Sequence, residues 1–188
     1  MYWVMLTERQ NDNEQILYDV PQVITDSNLK CNRASYIKGA YPLIELSPEE
    51  NFDTLSDNLT APGFKGLLAN KRVSETFREA GANNIQEFPV LLKGVNGGKN
   101  CSDYNLINIA GDADIIDYEK SDVVLRRPGN IKRIRSLSFI DTSDMTLPYV
   151  FRLTSFLPLI IAHDRIKQAF DTNKITGFTF YKPEGFSL

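Results

Sequence analysis

Short apolar runs and amphipathic stretches alternate along this chain, and twice they come in the same order. Leu67-Leu68-Ala69 is apolar, Asn70 is suited to cap a helix, and Val73, Phe77 and Ala80 then recur at helical spacing. Lys71, Arg72, Glu75, Arg78 and Glu79 fill the opposite face, and Gly81 stands where a helix stops. Ile85 to Leu92 resumes as a strand, with Pro89 pointing to a sheet edge or a bulge. The second run is Leu159-Ile160-Ile161-Ala162, followed by the stripe Ile166, Ala169 and Phe170, a break at Thr176-Gly177, and the strand Phe178 to Tyr181. A shift of 93 positions lays Ala69 on Ala162, Arg72 on Arg165 and Phe77 on Phe170, with Leu67, Leu68 and Val73 on Ile160, Ile161 and Ile166. Either a small internal duplication or two convergent halves of one sheet accounts for the match.

Around these units the pattern is mostly extended. Residues 1–9 predict a strand, Ile16 to Ile24 a second one interrupted by Pro21, and Ser47-Pro48-Glu49-Glu50 a short helical turn. Between the units, Tyr104 to Ile109, Ile115-Ile116, Val123 to Leu125, Ile131 to Ile140 and Tyr149 to Phe156 are short extended runs. The expectation is an α+β fold. It has a mixed, mostly antiparallel sheet and two short amphipathic helices supplied by the repeated strand–helix–strand units at 67–92 and 159–182. No Pro/Ser-rich linker divides the chain, so residues 1–188 read as a single domain.

A 42% hydrophobic and 24% charged composition is that of a folded protein. The formal charge of −3 argues against a general phosphate-backbone binder. Cys31 and Cys101 are too few and too far apart for a disulfide framework; a single disulfide between them stays open, but two buried free thiols fit better. The apolar start, Met1 to Leu6, is too short for a signal peptide or a membrane span, so the expected location is the cytoplasm.

Candidate chemistry is sparse. Gly94 to Asn100 resembles a phosphate loop only superficially. Three residues separate Gly94 from Gly98-Lys99 where four are needed, and Asn100 replaces the magnesium-binding hydroxyl; a hairpin turn fits better. His163, the lone histidine, sits at a helix start, and a metal site is not expected from one histidine without paired cysteines. Gly111 to Glu119 holds the acids Asp112, Asp114, Asp117 and Glu119, which suit a solvated loop or a binding edge for a basic partner. Arg126, Arg127, Lys132, Arg133 and Arg135 form a basic stretch that lacks interleaved aromatics, so nucleic-acid binding is disfavoured.

Five pieces in fixed order resemble a bacterial immunity-protein family of polymorphic toxin systems, the Imm-eleven type. They are Leu67 to Pro89, Tyr104-Asn105-Leu106-Ile107-Asn108, Ile116-Asp117-Tyr118-Glu119-Lys120-Ser121, Phe151-Arg152-Leu153, and Ile161 to Phe180. They span the C-terminal two thirds of the chain. The resemblance implies a protein that binds a cognate toxin and blocks it by occlusion instead of turnover, with no catalytic residues to carry over; no cofactor is expected. It further implies that Asp117 and Ser121 close a turn and that Phe151 to Leu153 is a core strand with a buried or paired arginine. On that footing, Tyr104, Asp112, Asp114, Asp117, Tyr118 and Glu119 are the expected partner-binding residues, aromatics supplying area and acids steering a basic toxin. Two alternatives from other classes stand beside it. One is a small hydrolase or transferase using Asp117 with His163 or Cys101; the other is a nucleic-acid-binding accessory protein using residues 126–135.

Overall fold

The cap expected at Asn70 and the stop at Gly81 are realised, whereas the second helix ends at Thr172 and closes around Asn173 and Lys174, ahead of the expected break at Thr176-Gly177. A computed structural model describes residues 1–8, 29–47, 55–59, 66–95, 98–127 and 129–188. The expected strand at Ile16 to Ile24 and nearly all of the turn at Ser47 to Glu50 lie outside them. In chain order the strands are β1 (Tyr2–Thr7), β2 (Ile44–Leu46), β3 (Asn58–Leu59), β4 (Leu67–Asn70), β5 (Ile85–Val95), β6 (Lys99–Ile109) and β7 (Asp112–Ala113). They continue with β8 (Asp122–Arg127), β9 (Asn130–Ser136), β10 (Val150–Leu153), β11 (Phe156–His163) and β12 (Phe178–Tyr181). Helix α1 (Lys71–Glu79) follows β4, helix α2 (Asp164–Thr172) follows β11, and a 3-10 turn covers Pro183–Gly185. This is the expected α+β class.

The strands form two five-stranded sheets and one hairpin. Sheet one runs β12-β1-β11-β10-β7, sheet two runs β2-β5-β6-β4-β3, and β8 pairs with β9. Pairing is antiparallel except where β7 joins β10 and β2 joins β5. Pro89 keeps the expected edge position: β2 covers β5 only from Val90 to Leu92, so among the described residues no strand pairs with the outer side of β5 at the exposed Pro89. The register slips just after it, between Val90 and Leu92.

The repeat is a structural one, and it extends further than the sequence match. Asn70 Oδ1 accepts from Val73 N, and at the matched position His163 Nδ1 accepts from Arg165 N. Both helices close alike. Ala82 N donates to Phe77 O and Ile175 N to Phe170 O, each at 2.9 Å, around the left-handed residues Gly81 (φ 97°) and Lys174 (φ 50°). Upstream, Asn70 N donates to Asp57 O and His163 N to Tyr149 O, so β3 matches β10. Downstream, β5 matches β12. The fourth strand of the first copy is β6, reached by a hairpin, whereas in the second copy that place is taken by β1 from the other end of the chain. β6 lies between β5 and β4 as β1 lies between β12 and β11. Even the tyrosines correspond: Tyr104 Oη donates to Ser56 O, and Tyr2 Oη to Pro148 O.

Each copy has a helix whose apolar stripe needs cover, and the two copies cover one another. Phe77 and Phe170 meet edge to face with ring centroids 4.9 Å apart. Around them Leu67, Ala69, Val73 and Ile107 from the first copy share one core with Ile160, Ala162, Ile166 and Met5 from the second. Complete burial of such side chains contributes about 1.5–3 kcal/mol each. On the outer face of sheet two, Leu29 and Cys31 pack on Ile44, Leu46, Val90 and Leu92, and that of sheet one is covered by Ile131 and Ile134 of the β8–β9 hairpin. Asp57 links the copies: its buried carboxylate accepts from Asn70 Nδ2, Thr176 N and Arg72 Nη1, the last at 2.9 Å, while Arg72 Nη2 reaches Asn173 O at the end of α2. No helix among the described residues is long and apolar enough to cross a membrane.

Candidate functional site

The acidic segment 112–119 begins as the edge strand β7 of sheet one and continues into a hydrogen-bonded turn. Ile115 and Ile116 anchor it, at 0% and 5% exposure, in the outer core of that sheet. Ile116 bridges Phe139, Ile140 N donates to Ile115 O, and Asp117 N donates to Ser138 O, so the turn is tied to the strand-like stretch 138–140. Asp117 is used within the turn: its Oδ1 accepts from Glu119 N and Lys120 N, and its Oδ2 lies 2.8 Å from Lys120 Nζ. Lys120, first through that side-chain contact and then through its backbone N–H, holds the Asp117 carboxyl below its ordinary range. Ser121 N donates to Asp117 O, and Ser121 Oγ both donates to Ser138 O and accepts from Ser138 N. The implied closing of a turn by Asp117 and Ser121 is what these bonds do.

What remains at the surface is a small set of groups with fixed positions. Tyr118 is 44% exposed, and its hydroxyl donates to Asp114 Oδ2 at 2.9 Å. Asp112, Asp114 and Glu119 are exposed around it. Tyr104 is not among them. At 3% exposure it lies under the cover of sheet two, with its hydroxyl 2.5 Å from Ser56 O. Both faces of β6 are covered, so alternation along that strand could not reveal a wet face, and Tyr104 leaves the set of surface anchors. In its place come residues that sequence reasoning missed: Ile140 and Met145, 39% and 42% exposed, with the exposed acids Asp141 and Asp144. They follow directly from the stretch tied to the acidic turn. Strand pairing, which sequence spacing does not reveal, brings Ile140 beside Ile115 of the turn; the others lie a few residues along the chain from it.

The other candidates fall elsewhere. Cys101 lies in β6 opposite Leu92 of sheet two, His163 ends β11 in sheet one, and Asp117 is engaged with Lys120; the structure does not bring the three together. Both cysteines are free. Gly94 and Gly98, both with positive φ, frame the β5–β6 hairpin turn. Arg126, Lys132, Arg133 and Arg135 are exposed on the β8–β9 hairpin, where Arg135 lies 3.5 Å from Asp122. Among the described residues no three His, Cys, Asp or Glu side chains gather as a metal site.

His163 has a structural duty with a pH signature. Burial, then the N-terminal ammonium, hold its pKa below the ordinary 6.5, while Asp164 acts in the opposite sense. Because the unfolded chain takes up this proton first, stability should be level above pH 6.5 and fall as pH drops from there toward the folded value. Protonation of Nδ1 also removes the cap on α2, an interaction of about 0.5–2 kcal/mol. His163→Asn, which retains a capping oxygen, should flatten the slope in chemical denaturation between pH 7 and 5; an unchanged slope would assign it to other groups.

Compared with protein-family models and with curated proteins, the chain matches none.

Proposed function

We propose that this chain is an immunity protein, which neutralises a cognate bacterial toxin by forming a tight one-to-one complex in the producing cell's cytoplasm. It does no chemistry of its own. The observation that carries this proposal is the pre-set turn. The Tyr118 ring and the Asp114 carboxylate are held at the surface by side-chain and backbone bonds already made, on a turn that Asp117 closes, so less ordering remains to be done on binding. Tyr118, with Ile140 tied to its turn through Ile115, supplies the kind of aromatic and apolar anchor from which interfaces draw most of their affinity. Asp112, Asp114, Glu119, Asp141 and Asp144 would steer a basic toxin surface and raise the association rate. The resemblance to the Imm-eleven type adds support from a separate direction. Its pieces are the framework β4–α1–β5, β6, β10 and β11–α2–β12, together with the turn itself.

The test is co-expression with the toxin encoded beside the gene. Wild-type protein should rescue growth and co-elute with the toxin. Tyr118→Ala combined with Glu119→Lys should weaken the complex by at least about thirtyfold, the effect of losing one interface hot spot, while leaving the melting temperature unchanged because both side chains are exposed. Lys132→Glu with Arg133→Glu on the hairpin serves as the control and should bind as wild type. Full protection by the Tyr118/Glu119 variant would place the interface elsewhere, and no complex with wild type would remove the proposal.

A further inference from the structure

A cavity at the seam between the two sheets carries an inference independent of the acidic turn. Register aligns Phe180, Met5, Ile160, Arg152 and Asp112 in one row across sheet one. Met5 and Ile160 face the shared core, and Arg152 is the one cation in the row. A cavity of about 370 Å³ lies against it, lined by Met5, Leu67, Ile160, Pro158, Arg152 and the exposed Thr7. Leu67 and Ile160 are matched positions of the two copies, so the cavity sits where the halves meet.

Arg152 is 3% exposed. Of its five N–H donors, one on Nη1 goes to Leu157 O at 2.9 Å and one on Nη2 to Cys31 O at 2.8 Å, while Nε has no acceptor among the described residues. Asp112, its neighbour in register, is exposed, and no ion pair to Arg152 is formed by any described carboxylate. Burial lowers the guanidinium pKa to about 10, with the Cys31 thiol acting the other way, so the group remains a cation at neutral pH. A buried cation held only by neutral carbonyls has its charge uncompensated, and here it borders an apolar space near the lower end of ligand-pocket volumes, about 300–1,000 Å³.

We propose that this cavity binds a small aliphatic carboxylate, the carboxylate meeting Arg152 and the alkyl chain lying along Met5, Leu67 and Ile160. A guanidinium and a carboxylate match as planar, two-pronged partners, and the alkyl chain replaces water against apolar walls.

Octanoate, octanol and octylammonium are the probes, read on the full chain by thermal unfolding and titration calorimetry. Octanoate should raise the melting temperature progressively with concentration; octanol and octylammonium should not. Arg152→Met, which keeps the bulk without the charge, should weaken octanoate binding at least about tenfold. Thr7→Trp, which fills the cavity mouth and leaves the charge in place, should do the same. If Arg152→Met does not fold, Arg152→Lys takes its place and should bind octanoate more weakly than wild type but better than it binds octanol. No rise with octanoate, an equal rise with octanol, or undiminished octanoate binding in Thr7→Trp would overturn the assignment.

Discussion

Replacing Phe170 by alanine should destabilise the protein by about 3–5 kcal/mol, the range for removing a buried phenylalanine. Phe170 is 2% exposed and meets three other rings edge to face: Phe77 at 4.9 Å, Phe178 at 5.2 Å and Phe180 at 5.6 Å. One ring thus joins the two helices and the closing strand of the second copy. Domains of ordinary stability have about 5–15 kcal/mol in hand, so this variant should be only marginally folded. For a chain of this length the melting temperature should fall by about 6–20 °C. Phe77→Ala, at the matched position, should cost a similar amount, and the double variant should reveal a coupling of about 0.5–1.5 kcal/mol for the ring pair. Urea titration of the four proteins measures this. A loss below about 1 kcal/mol in Phe170→Ala would mean that the two halves do not depend on this contact.

Gly177→Ala is expected to be nearly as harmful for a different reason. Gly177 has φ +83°, and a Cβ built there would lie 2.8 Å from Asn58 O, 2.9 Å from Asn58 Cβ and 3.1 Å from Asn58 N. Asn58 is buried at 2% exposure and paired with Ala69, so the obstacle is backbone that cannot swing aside. A left-handed alanine costs about 1–2 kcal/mol by itself, and moving β3 away from the turn adds to it, for a total of at least about 2 kcal/mol. Gly94→Ala separates the two contributions. Gly94 has φ +71° and nothing within 4 Å of the added Cβ, so it should show the conformational cost alone. Equal losses in the two variants would remove the close approach as the cause.

The helices were legible in the sequence because their signals are local. Asn70, the stripe of Val73 and Phe77, and Gly81 lie within a dozen residues, and the second copy repeats the spacing. The role of β1 was not legible. Its residues predict a strand, but its place between β11 and β12 is set by pairing across more than 150 residues, which no local pattern encodes. The same limit explains the site. The acids and Tyr118 could be found because they are contiguous, and the implied turn at Asp117 and Ser121 was there to be read. Ile140 could not, since its proximity comes from the pairing of Ile116 with Phe139 and of Ile140 with Ile115. Tyr104, an expected partner-binding residue, is buried; an aromatic on a strand looks the same in sequence whether its face is wet or covered. Asp57 passed unnoticed for a related reason: its partners Arg72 and Thr176 lie in different copies of the repeat.

The proposed function and its site can be tested together by hydrogen exchange of the chain alone and mixed with the toxin encoded beside its gene. New protection is expected at residues 114–120 and 138–145, with α1 and α2 unchanged. Exchange that is identical in the two samples, or protection confined to the hairpin at 122–136, would contradict the assignment of a toxin-binding surface to the acidic turn.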